Sequence, residues 1–127
     1  MKKFLLALTL ALASFTTTAQ VGGNDWTPVG NGFTITRPDG TSFGYKINYS
    51  PASVTRNGDW TNVVFDMVLD DKSPTRFYRN RINCKTNQYT FAIFDISVTP
   101  AKLSEDSDVR NIQPNTAGTA MEAIVCR

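Results

Sequence analysis

Apolar and polar residues alternate with a period of two along several stretches of this chain, the pattern of strands that bury one face. The cleanest is Phe43 to Tyr49, where Phe43, Tyr45, Ile47 and Tyr49 alternate with Gly44, Lys46 and Asn48. A longer strand is expected over Trp60 to Asp71, with Val63, Phe65, Met67 and Leu69 on one face and Asn62, Asp66 and Asp70 dominating the other. "TRFYRNRINCK" follows, with Tyr78, Asn80, Ile82 and Cys84 on one face and Phe77, Arg79 and Arg81 on the other. Gln88 to Val98 is apolar on both faces, which implies a strand that is covered twice or sits centrally in its sheet. Shorter extended pieces are expected at Trp26, over Phe33 to Thr36, and over Val109 to Gln113.

The breaks between these stretches carry turn chemistry. "RPDG" (Arg37 to Gly40), Asn57-Gly58, "DKSP" and Thr86-Asn87 all stand between strand candidates, and proline, glycine and asparagine supply the dihedrals that turns need. After Pro114 the period changes. Asn115 and Thr116 are good helix caps, and "AGTAMEAIVCR" favours a short helix. At 100° per residue, Ala120, Met121, Ile124 and Val125 cluster on one side, while Cys126 points nearly opposite. Either the helix unwinds before Cys126 or it touches protein on two sides; unwinding in the last turn is the favoured reading. The expected architecture is α+β: an antiparallel meander of about five or six strands and one C-terminal helix, in a single domain over residues 20–127.

The first nineteen residues are read differently. Lys2 and Lys3 precede an apolar run from Phe4 to Ala13, and Thr17 and Ala19 stand at small-residue positions before a cleavage expected after Ala19. That is the pattern of a secretory signal peptide. The apolar run is too short for a spanning helix, and no cysteine at the cleavage site codes a lipid anchor. A soluble exported protein, periplasmic or secreted, is expected. Loss of Lys2 and Lys3 takes the balance from 13 basic and 11 acidic residues to 11 against 11. A basic surface seeking nucleic acid is therefore not expected.

Export also changes how the two cysteines, Cys84 and Cys126, are read. In an oxidising compartment a disulfide between them is the default, against two buried free thiols. The bridge would dock a helix too short to be stable alone.

The chain contains no histidine, so it lacks the commonest general base and metal ligand. No phosphate-binding glycine loop is present. Asp66 and Asp70 share a strand face but lie about 13 Å apart at strand rise, and Glu105, Asp106 and Asp108 lack calcium-loop spacing. Neither enzyme chemistry nor a cofactor or metal is expected. The candidate binding residues are Arg76, Phe77, Tyr78, Arg79 and Arg81: guanidinium groups beside aromatic rings suit an acidic protein, a sulfated glycan or a carboxylate-bearing ligand. The competing reading pairs these arginines with Asp66 and Asp70 across the strands. Trp26 and Trp60 are read as core.

The order of parts has a counterpart among known families. "NDWTPVG", "YKINYSPASVTRNGDW", "RNRINCKTNQY" and "IQPNTAGTAMEAIVC" together resemble the surface-adhesin protein E-like domain of Gram-negative bacteria, over nearly the whole chain after the signal peptide. The resemblance implies a bent antiparallel sheet whose C-terminal helix lies on the concave side, tethered by a disulfide between Cys84 and Cys126. It also implies an adhesin: a non-enzymatic protein that binds host extracellular-matrix proteins, often as a homodimer. The alternative is a small periplasmic accessory protein, such as a hydrolase inhibitor.

Overall fold

The computed structural model describes residues 25–127; the expected signal peptide lies outside them. Five strands carry most of the sheet: β1 (Thr27–Thr36), β2 (Ser42–Tyr49), β4 (Trp60–Leu69), β5 (Arg76–Asn83) and β6 (Gln88–Asp95). Three short ones complete it: β3 (Thr55–Asn57), β7 (Lys102–Leu103) and β8 (Arg110–Asn111). The pairing is antiparallel throughout, in the order β1-β2-β4-β5-β6-β7, with β3 added to β4 and β8 to β6. One helix, α1 (Ala117–Val125), ends the chain. The sheet curls into a half-barrel around the helix. Among the described residues α1, of nine residues, is the one α-helix, and the fold is dominated by its sheet, so the α+β expectation gives the helix too much weight.

The extra strands explain why five or six became eight. β2 and β3 lie end to end along the same edge of β4, joined by a 3-10 turn at Pro51–Ser53. The Asn57-Gly58 signal closes the β3–β4 hairpin, where Gly58 takes a φ of 68° that suits glycine. β7 and β8 do the same for the far edge of β6, so the doubly apolar strand is paired on both sides. β1 is one strand rather than two pieces. Its register shifts between Pro28 and Gly30 and between Gly30 and Phe33 absorb the "GNG" interruption.

Strands stop earlier than periodicity alone suggests, and side chains make them stop. Asp71 accepts a hydrogen bond from the Ser73 N–H at 3.0 Å. Asp95 accepts from the Ser97 N–H at 3.0 Å. Asn83 accepts from the N–H groups of Lys85 and Thr86 at 2.9 and 3.1 Å. Each short polar side chain captures donors that would otherwise continue a ladder.

The core lies between the inner sheet face and α1. Ile47, Val63, Phe65, Ile82, Met121 and Val125 form its buried cluster. Thr116 caps the helix, its Oγ1 accepting from the Thr119 N–H at 3.4 Å. At the other end the helix runs to Val125 and Cys126 is its C-cap, with φ −99° and ψ 21° and an N–H that still donates to the Glu122 carbonyl at 2.9 Å, so the last turn stays helical where the sequence pattern favours unwinding before Cys126. Cys126 is bonded to Cys84 just beyond β5, with a Cα separation of 5.6 Å. Arg56 on β3 adds a second tie, donating to the carbonyls of Val125 and Arg127 at 3.0 Å each. A cation there satisfies carbonyls that the helix end leaves open. Among the described residues no helix is long and apolar enough to cross a membrane.

Candidate functional site

The sequence candidates separate onto two faces of the sheet. Phe77, Arg79 and Arg81 lie on the outer face, and Tyr78 lies on the inner one. Arg79 and Arg81 both donate to Asp106, at 2.7 and 3.2 Å. Their partner is therefore neither Asp66 nor Asp70, contrary to the cross-strand pairing weighed from sequence. Asp66 is buried and accepts from the backbone and side-chain amides of Asn48 at 3.2 and 2.9 Å. Asp106 reaches β5 because its loop folds back along β6: the Ser107 N–H donates to the Phe91 carbonyl at 2.8 Å and the Ser107 hydroxyl accepts from the Phe91 N–H at 3.0 Å. The clamp covers Thr90 and Ala92, both buried and directly opposite Arg81 and Arg79 in the register.

The tryptophans belong to this outer face and are only half-buried. Trp26 meets Phe77 with ring centroids 5.8 Å apart, and Trp60 lies under the Arg81 guanidinium at 5.6 Å. Arg76 is exposed at the start of β5, and none of the ion pairs among the described residues includes it.

The Asp106 clamp sets a pH dependence. Hydrogen bonding to Arg79 first, and to Arg81 after it, holds the Asp106 carboxyl below the usual carboxylate range. The unfolded chain, with its carboxylate near pH 4, then takes up the proton first on acidification. The clamp's contribution is fully present above about pH 4 and is lost as pH falls through the lowered folded value. Asp106→Asn is expected to cost about 1 kcal/mol near neutral pH. Melting curves of both proteins between pH 7 and pH 2.5 check this: the gap between them should close below about pH 4.

The inner face holds something the sequence did not announce. A cavity of about 340 Å³ lies between the sheet and the start of α1, within the size range of small-molecule sites. β2 contributes Tyr45 and Ile47, β4 Phe65 and Met67, and β5 Tyr78, Asn80 and Ile82; Tyr89 and Phe91 come from β6. β8 supplies Asn111, the segment entering the helix Ile112, Gln113 and Thr116, and the helix Ala117, Gly118 and Met121. The rings are organised by register. Phe65 is opposite Tyr78 on adjacent strands and stacks on it at 5.1 Å. Phe91 meets Tyr78 edge-on at 6.2 Å and Tyr89 at 6.4 Å.

Among the described residues no charged side chain lines this cavity. The nearby Arg110 guanidinium stacks 5.5 Å from the Phe91 ring and is not part of the lining. Burial pushes the Tyr45 hydroxyl above its ordinary value, so that ring stays neutral at physiological pH. Asn80, Asn111, Gln113 and Thr116 break the apolar surface, and Asn80 is the most deeply buried polar group among them. Asn80 is 8% exposed, and its Oδ1 is buried with no hydrogen-bond partner. In sequence Asn80 was visible only as a polar residue in a row of apolar ones, which is the signal that could have found the site. Among the described residues no group of three histidine, cysteine or acidic side chains could hold a metal ion.

No protein-family model matches the chain, and no curated protein or solved structure matches it.

Proposed function

We propose that this chain is an exported, non-enzymatic binding protein whose ligand occupies the inner-face cavity. The observation that carries the reading is a preformed aromatic cavity with a buried, unpartnered amide at its wall. Convergence of a few polar groups in a mostly apolar pocket is the usual make-up of a small-molecule site. A chain without histidine supports binding over catalysis, and the Cys84–Cys126 bridge suits the oxidising compartment to which the N-terminal pattern directs it.

N-phenyl-1-naphthylamine, an apolar dye that brightens out of water, tests the reading. One saturable site per chain is expected. Ala117→Trp should fill the cavity from the helix side and weaken the dye at least tenfold, while the melting temperature holds. Non-saturable brightening, or the same isotherm in both proteins, defeats the reading.

A second reading is adhesive, in the manner of the surface-adhesin protein E-like domains that the chain resembles. It is favoured by Arg76, exposed and outside the ion pairs, and by the half-buried Trp26–Phe77 ring pair that follows it on the other face of the strand. Solid-phase binding to extracellular-matrix proteins tests it. Arg76→Ala combined with Phe77→Ala should abolish capture, and equal capture by the variant removes this surface from consideration.

A further inference from the structure

We infer that the cavity takes a small anion with a flat apolar body, of the aromatic carboxylate class, and that Arg110 at its mouth pairs with the charge. The inference rests on the inner-face cavity being the binding site and adds the charge of what fills it.

The lining is graded in polarity. Ile47, Phe65, Ile82 and Met121 line the cavity and are buried. With the Tyr78 and Phe91 rings they make a floor that is apolar apart from Asn80. Asn111, Gln113 and Thr116 also line the cavity, but they are exposed and come from one stretch, running from β8 to the cap of α1. The cavity opens to water along that stretch. A charged group placed there keeps much of its hydration, whereas one placed on the floor would lose it. The apolar body of a ligand belongs on the floor and its charge at the mouth. The ring walls favour a flat body, since rings gain by stacking and edge contacts.

Arg110 sets the sign. It is exposed at the start of β8 and stands opposite Tyr89 in the register, a residue of the lining. Its guanidinium lies 5.5 Å from the centre of the Phe91 ring, which also lines the cavity. The ring face attracts the cation and holds it beside the opening. None of the ion pairs among the described residues includes Arg110, so Asp108, two residues earlier, leaves it uncompensated. A guanidinium presents a planar fork of N–H donors that matches a carboxylate, and at Arg110 that fork is left open. Among the described residues no carboxylate lines the cavity to oppose an incoming anion. The start of α1, whose Ala117 and Gly118 belong to the lining, favours the same sign of charge.

Competition against N-phenyl-1-naphthylamine with three ligands of one skeleton tests this. At neutral pH 2-naphthoate is anionic, 2-naphthamide is its uncharged isostere and 2-naphthamidine is cationic. In dilute buffer 2-naphthoate is expected to compete about fivefold better than 2-naphthamide, the size of a well-placed surface ion pair. Added salt should shrink that margin, and 2-naphthamidine should compete least. In Arg110→Gln the margin should fall to within about twofold, as expected when the pair is lost, with the dye still saturating. Lys46→Gln removes an equal charge from the exposed outer side of β2 and should keep the margin. Competition by 2-naphthoate no better than by 2-naphthamide in the wild type, or stronger competition by 2-naphthamidine, overturns the anionic class. A margin that survives Arg110→Gln, or falls equally in Lys46→Gln, overturns the role of Arg110. In all these cases the dye still binds, so the cavity reading survives; failure of the dye to saturate removes both.

Discussion

Replacing Cys84 and Cys126 with serine is expected to lower stability by about 4 kcal/mol, because the bridge closes a loop of 42 residues and the chain-entropy cost of such a loop is of that size. In a domain this small the loss corresponds to roughly 15–30 °C in melting temperature. The effect should be uneven. The nine residues of α1 are too few to hold a helix in water alone, and its buried anchors are Met121 and Val125. Burying those two side chains contributes about 3–6 kcal/mol, comparable to the tether. Amide exchange in the double variant should therefore rise first over residues 117–125, ahead of β4 and β5. Uniform loss of protection would mean that the helix and sheet open as one unit.

The second large effect has the opposite sign. Asn80→Leu is expected to raise stability by about 1–3 kcal/mol, since it replaces an unpaired buried amide with a side chain of similar size and no polar atoms. A polar group that costs stability where an apolar one would fit is a mark of a site kept for use. Chemical denaturation of the wild type and Asn80→Leu measures this. Destabilisation by the leucine would show that Asn80 is serving the fold.

Much of the sheet could be read from alternation. The inner face of β4 is Val63, Phe65 and Leu69, all buried, in the phase the pattern gives. The apolar character of β6 on both faces has its cause in the structure: Tyr89 and Phe91 line the cavity, while Ala92 lies under the arginine clamp. Cys126 was legible as the tether, but the last turn holds its helical bond from the Cys126 N–H to the Glu122 carbonyl at 2.9 Å rather than unwinding before it. What could not be read depends on contacts distant in sequence. Asp106 finds Arg79 and Arg81 only because a loop 27 and 25 residues later folds back on β5, so the nearer Asp66 and Asp70 looked like the natural partners. The cavity is assembled from five strands, a connecting segment and a helix, and no local pattern encodes a space between them. The arginines drew attention because charge is conspicuous in sequence; an amide on the wrong face is quieter.

Whether ligand is held in the inner-face cavity or on the outer face by Arg79 and Arg81 is decided most directly by nuclear magnetic resonance. In ¹⁵N-labelled oxidised protein titrated with N-phenyl-1-naphthylamine, the side-chain amide of Asn80 and the backbone amides of Tyr78, Phe91 and Gly118 are expected to shift together and saturate at one ligand per chain. Shifts confined to Phe77, Arg79, Arg81 and Asp106, with Asn80 unmoved, would contradict the account.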